Sequence, residues 1–387
     1  MRVLALGDSM SDSYQSIGSH LIGRMMEKRP FAGISFNNAF NRSMVTLTNG
    51  ASVEPPSSVW FSYTVKLPAA ASAHWVNQQD ASGILADRIG LYWISTASGG
   101  EFDLLISEQG GEWTKLASLN GRSALPEGNV TNIVVPLSKY RVQVRSVTGG
   151  NYVLEPELVN STAKGLHVGW LDYTGIPIQR VSEAPRTVRD PILQRFAPDL
   201  IIWHFKEGGA VSGMREALEE NEAWFKAASP RAEVLYVGTP YSQDAVGGAA
   251  TVEENRLVRD FAVSHGRAFV DCMTPGVSYE WLRDQGYMQD AIHPNSAGGA
   301  FLAAAAWNDL GFFALGLDRR LTLERASPAF ILGATLAPGF IYSFEQSTNV
   351  TDWEAFHART NETGEVELRL RPAEPVRQYR LRVQPID

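Results

Sequence analysis

Two short stretches of this sequence carry residues able to do nucleophilic chemistry together. One is "ALGDSMSDSY", residues 5 to 14, where an apolar run stops at Gly7 and presents Asp8 and Ser9. The other is "MQDAIHPN", which sets Asp290 three residues before His293. A serine hydroxyl becomes an effective nucleophile when a base accepts its proton. Imidazole does this best when a carboxylate fixes its tautomer and stabilises its charged form. Each stretch alone has a plainer reading, since Asp8, Ser9 and Ser11 suit a helix N-cap and an isolated Asp-x-x-His is commonly a surface turn. What joins them is their position at opposite ends of one α/β pattern.

The elements that must hold them can be traced along the chain. Val3 to Leu6 reads as a strand, Gly7 to Ser13 as a turn, and "SIGSHLIGRMMEKR" as a helix that stops at Pro30. Sites in open parallel sheets form beyond the carboxyl ends of strands, so Ser9 stands where a helix N-terminus adds amide donors and partial positive charge. Alternating texture returns near residue 166, with apolar runs "LHVGWL", "DLIIWHF", "EVLYVGTP" and "AFVDCM" separated by helical stretches. That order predicts parallel strands joined by helices.

From Pro55 the texture is instead period-two segments with turn residues between them, such as "VWFSYTVKL", "RIGLYWIST" and "EFDLLISEQGG", which predicts an antiparallel sandwich. Roughly 115 residues therefore interrupt the first α/β piece, where a βαβ unit needs only about 30, and they read as an added module. After about residue 319 β texture resumes with "RLTLERA", "IYSFEQSTN", "EVELRLR" and "QYRLRVQ". The predicted organisation is an α/β domain in two pieces, 1–49 and 166–318, a β-sandwich at 50–165 and a small β-sandwich at 319–387.

On these residues the chain resembles the SGNH, or GDSL, hydrolases. Gly7, Asp8 and Ser9 match that family's first block, and Asp290, His293 and Pro294 match its last, Asp-x-x-His-Pro. The resemblance implies a flavodoxin-like three-layer domain with a parallel sheet, in which Ser9 is the nucleophile, His293 the base and then acid, and Asp290 its orienting carboxylate. It also implies oxyanion donors: the amide of Ser9, the amide of Gly175 in "WLDYTGIPIQ", and a side chain from the third block. There "PDLIIWHFKEGG" departs from the family's Gly-x-Asn, placing His204 where glycine is expected and Lys206 where asparagine is expected. Three outcomes stay open: Lys206 or His204 acts in the site, the backbone amides act alone, or hydrolysis is lost. Losing one such donor costs about 2.7 to 4 kcal/mol of transition-state stabilisation.

Composition narrows the remaining choices. At 387 residues the chain has room for more than one core, and 44% hydrophobic with 20% charged residues is a globular balance. No apolar run reaches the ~18 residues of a membrane helix. A net charge of −8 without a basic cluster argues against nucleic acid and anionic lipid as partners. The single Cys272 rules out an internal disulfide and reads as a buried core thiol. His20, His74, His167, His265 and His357 lack partners at a recognised spacing and read as structural. The N-terminus lacks signal-peptide features, so the expectation is a cytoplasmic chain, or a periplasmic or secreted one from which a leader has been removed.

Trp60, Phe61, Tyr63, Trp75, Tyr92, Trp93 and Trp113 give the 50–165 segment a high aromatic load, either a sandwich core or exposed faces that stack on sugars. At fold level the arrangement is similar to some carbohydrate esterases with a carbohydrate-binding module, and the tail looks like β domains appended to polysaccharide-acting enzymes. The expected function is thus a serine esterase removing acyl groups, O-acetyl first, from carbohydrate, with no cofactor or metal. Two alternatives stand beside it: a lipid or thioester acyl hydrolase, and a glycan-binding protein on a catalytically impaired domain.

Overall fold

The apolar run at the start of the chain lies inside a parallel sheet. The computed structural model describes residues 1–8, 17–28, 31–35, 45–55, 57–75, 85–108, 111–172, 177–205, 212–240, 247–273, 278–310, 322–326, 329–336, 340–347, 354–360, 364–370 and 378–385. It begins with β1 (Arg2–Gly7), α1 (Ile17–Lys28) and β2 (Phe31–Ser35), followed by β3 (Val45–Thr48), β4 (Ser52–Glu54), β5 (Thr64–Leu67), β6 (Ser72–Trp75) and β7 (Leu85–Ser95). Next come β8 (Glu101–Glu108), β9 (Thr114–Asn120), β10 (Glu127–Ser146) and β11 (Asn151–Val159). The α/β pattern resumes with β12 (Leu166–Asp172), α2 (Gln179–Glu183), α3 (Arg186–Phe196), β13 (Leu200–His204), α4 (Met214–Ala228), β14 (Glu233–Val237), α5 (Gly247–Ser264), β15 (Ala268–Val270), α6 (Tyr279–Asp284) and α7 (Ser296–Leu310). The remaining strands are β16 (Thr322–Ala326), β17 (Ala329–Leu336), β18 (Phe340–Ser347), β19 (Glu354–Thr360), β20 (Gly364–Leu370) and β21 (Gln378–Pro385).

One run of strands follows the order β15-β14-β13-β1-β12-β2 and is parallel throughout. Val3, Leu4, Ala5 and Leu6 are fully buried, as expected of a central parallel strand covered on both faces. On its other edge β2 pairs antiparallel with β11, through Leu158 against Ile34 and Val159 against Gly33, and the sheet continues through β7 into β10. The long β10 also pairs with β6 and β8.

Two cores follow. One holds Leu4, Leu6, Phe196, Trp203, Phe225 and Phe261 from the parallel region together with Trp60, Phe61 and Tyr92 from the antiparallel region. The other lies among antiparallel strands, around Val65, Leu91, Trp93, Phe102, Val142 and Val153. Most of the aromatic load is therefore core; Trp113, at 38% exposure, is the ring that reaches solvent most openly. Cys272 is buried as expected, and no helix among the described residues is long and apolar enough to cross a membrane.

Contacts divide the chain into two units, Met1–Ala306 and Trp307–Asp387. Within the second, β16, β17 and β20 form one antiparallel sheet, and β18, β19 and β21 another.

Candidate active site

Three neighbouring strands end at one level. Gly7, the last residue of β1, stands in register with Asp172, the last of β12, and with His204, the last of β13. Asp8 is 2% exposed and its N–H donates to the His204 carbonyl at 3.3 Å, which carries the pairing one residue past the strand. Ser9, Gly175 and Lys206 follow these ends by two, three and two residues in the sequence and lie outside the described residues. His204 is described, and its ring is wholly buried in the sheet.

The second half of the candidate site is a loop between α6 and α7. Gly286 takes a left-handed φ of 72°, which favours glycine, and turns the chain out of α6. Met288 and Pro294 then form an antiparallel bridge, and the Gln289 N–H donates to the His293 carbonyl at 2.8 Å. Asn295 closes the base. Its N–H donates to the Tyr287 carbonyl at 2.9 Å, its Nδ2 to the Gly286 carbonyl at 2.6 Å, and its Oδ1 accepts the Gly298 N–H at 3.0 Å as the N-cap of α7. Under the loop, the Tyr287 ring stacks on Phe301 at 5.1 Å, and Trp281 lies 5.5 Å from the same ring.

That frame presents Asp290 and His293 as a pair. Asp290 Oδ1 accepts the main-chain N–H groups of Ile292 and His293, both at 2.7 Å, and Oδ2 lies 2.8 Å from His293 Nδ1. Burial pushes the Asp290 carboxyl up, but the hydrogen bonds from the His293 and Ile292 amides and from the imidazole outweigh it and hold the carboxyl below its usual range. The side chains are 49% and 31% exposed, so both stay open to a substrate. The Asp-x-x-His turn is real, and its aspartate serves the turn and the imidazole at once.

On α1, burial holds the His20 imidazole below its ordinary pKa. The other structural histidines find local partners: His265 Nε2 lies 3.1 Å from Glu219, His167 Nε2 3.3 Å from Glu157, and the His74 and His357 rings pack near Trp113 and Phe344. Asn295 is a residue of this region that motif reading passes over, though it had a signal, an N-cap type before an apolar helix.

No protein-family model matches the sequence, and no curated protein matches it. Among solved structures, a peptidoglycan O-acetylesterase superposes with a TM-score of 0.62 over 82% of this chain and 92% of its own, at 14% identity. A family two carbohydrate esterase from Cellvibrio japonicus is similar at a TM-score of 0.28, covering 70% of this chain and 99% of its own at 12% identity. An acetylxylan esterase from Geobacillus stearothermophilus has a TM-score of 0.30, covering 38% and 74% at 16% identity. The first of these carries the comparison. The chain has an SGNH/GDSL hydrolase-like fold.

Proposed function

We propose that this chain is a serine esterase that removes acyl groups, acetyl foremost, from carbohydrate. The observation that carries the reading is the Asp290–His293 pair, solvent-accessible and held by its own loop with Nδ1 on the carboxylate. In support, Ser9 follows Gly7, the last residue of β1, by two positions in the sequence. The likeness to a peptidoglycan O-acetylesterase supports an acetylated glycan as substrate.

In this mechanism Ser9 Oγ attacks the ester carbonyl carbon while His293 Nε2 takes its proton. Asp290 keeps the Nδ1 proton in place and stabilises the imidazolium. The amides of Ser9 and Gly175 receive the oxyanion, with Lys206 as the side-chain donor; His204, wholly buried, is the weaker of the two third-block candidates. The sugar hydroxyl leaves with the proton from His293, and water attacks the acyl-enzyme by the same route in reverse. We read 50–165 as a β-sandwich module built onto the α/β unit through the β2–β11 pairing, and 319–387 as a C-terminal β-sandwich.

The test is acetate release from a panel of acetylated glycans, run beside p-nitrophenyl esters of increasing chain length and a fluorophosphonate probe. Labelling at Ser9 with a preference for acetyl supports the reading. A preference for octanoyl esters would instead assign a lipid-type acyl hydrolase, and glycan binding without labelling would assign an impaired domain.

A further inference from the structure

The core around Val65 and Trp93 has an outer sheet face behind it. Val142 and Val144 on β10, Ala73 and Trp75 on β6, and Leu104 on β8 belong to that core, so the residues between them point outward by the strand period of two. Register sets these side by side. Gln143 lies opposite His74 on β6, and Arg145 lies opposite Ser72 on β6 and Asp103 on β8, with Arg141 the next outward residue of β10. Ser72 Oγ and Thr48 Oγ1, 2.7 Å apart, carry the polar row onto β3.

Trp113 lies across this row. It immediately precedes β9, yet its ring is 5.9 Å from the His74 imidazole, edge to face at 64°, although β8 and β10 stand between β9 and β6. The indole is therefore folded over the sheet, with 38% of the residue still exposed. A ring held in this way gives up little conformational freedom when it binds, and its apolar face is a platform for the C–H side of a sugar.

Charge narrows the choice of sugar. Asp103, 5% exposed, is the acid in the middle of the face, and both of its oxygens are taken. Oδ1 accepts from Ser118 Oγ at 2.7 Å and from Lys115 Nζ at 3.3 Å, and Oδ2 from Arg145 Nη2 at 3.1 Å. Glu101, Glu108 and Glu112 are exposed at the strand ends, and among the described residues none of them forms an ion pair with Arg141. Burial first, then the Arg141 charge, hold the His74 imidazole below its ordinary pKa, so the cation beside the Trp113–His74 pair is Arg141. Its planar guanidinium matches a carboxylate with two parallel N–H donors.

We propose that this face is a glycan-binding surface outside the Asp290–His293 loop, on which Trp113 stacks on a sugar ring and Arg141 pairs with a carboxylate of the same polysaccharide. A dense polyanion such as nucleic acid does not fit a chain of net charge −8. The proposal deepens the carbohydrate reading above by naming the charge of the glycan, and it uses no step of the esterase mechanism.

Co-sedimentation of the full chain with insoluble glycans tests it, with peptidoglycan sacculi as the carboxylate-bearing strand and chitin as a neutral one. Sacculi should retain the wild-type chain about tenfold more tightly than chitin, and less tightly as salt is added. Trp113→Ala and Arg141→Gln should each weaken retention by about tenfold or more, with melting temperature and p-nitrophenyl acetate hydrolysis unchanged. Trp113→Tyr, which keeps a ring, should recover most of the binding. No retention on sacculi overturns the proposal, as do variants retained like wild type, equal retention on chitin, or equally tight binding of a single-stranded oligonucleotide. An active esterase that sacculi do not retain fails this proposal alone, whereas a retained chain that hydrolyses no ester fails the esterase reading alone.

Discussion

His293 Nδ1 lies 2.8 Å from Asp290 Oδ2 while the main-chain N–H of the same histidine donates to Asp290 Oδ1 at 2.7 Å. One carboxylate therefore fixes both the backbone and the ring of the candidate base. The local turn and the tautomer of the imidazole are set by the same two oxygens, so a substitution can separate them.

Asp290→Asn makes that separation. An asparagine Oδ1 can still accept from Ile292 and His293, so the loop should persist, but its Nδ2 cannot accept the Nδ1 proton. Expected is a fall in kcat of about 100-fold to 10,000-fold with little change in melting temperature. Ser9→Ala and His293→Ala should each abolish turnover by at least about 1,000-fold with the fold intact. Unchanged p-nitrophenyl acetate hydrolysis in Ser9→Ala would remove the assigned nucleophile.

The pH profile follows from the lowered carboxyl of Asp290. Its contribution to the loop is present above the unfolded carboxyl value of about 3.9 and fades only as pH falls through its lower folded value. An acid limb of kcat/KM above pH ~5 must then report a group other than Asp290. Measured activity from pH 4 to 9 checks this: a limb that lies above the carboxylate range agrees, and one centred within it would contradict the lowered carboxyl of Asp290.

Gly298→Ala should behave against helix propensity. Alanine stabilises a helix interior by about 1 kcal/mol over glycine, yet a Cβ on Gly298 would stand 2.1 Å from the Tyr287 carbonyl oxygen. That backbone cannot yield without moving the loop that carries Asp290 and His293. The expected variant has a lower melting temperature and kcat reduced by about tenfold or more; a rise in stability with full activity would show that the close approach is not required.

At the far edge of the parallel sheet, Glu222 on α4 is 2% exposed, accepts from Tyr236 OH at 3.1 Å and from Arg267 Nη2 at 2.7 Å. Arg267→Met leaves that carboxylate underpaired, since Lys226 reaches it only at 3.6 Å from an exposed position. Denaturant unfolding should show a loss of about 3 kcal/mol, partly recovered when Glu222→Leu is added. Additive losses in the double variant would speak against a coupled pair.

Cys272 offers a simpler check. Burial first, then the neighbouring Asp271 charge, push its thiol well above the ordinary range. A disulfide reagent should leave the native thiol untouched and find one thiol after denaturation, and iodoacetamide should leave activity unchanged.

Some of this was legible without coordinates because it is local. The fully apolar run Val3–Leu6 could only be a strand buried on both faces, and "DLIIWH" and "EVLYV" read the same way. β2 is the contrary case. "FAGIS" has neither alternation nor length, and its Gly33 is explained only by the partners it meets, the Leu158 carbonyl at 3.0 Å and the His167 ring at 3.1 Å from a Cβ built there. Yet β2 is the strand through which the antiparallel sheet continues from the parallel one.

Residue types and short spacings in the sequence alone named Ser9, Asp290 and His293 and called for parallel strands around β1. Periodicity and turn chemistry act over a few residues, which is the range they report. Tertiary structure decided the rest: that Trp60 and Tyr92 fill the core beside Leu4, that Gly7, Asp172 and His204 end level, and that the Asp8 N–H donates to the His204 carbonyl. Those relations are made by register and by hydrogen bonds between distant segments, whose energies appear only once the chain has closed the loops between them.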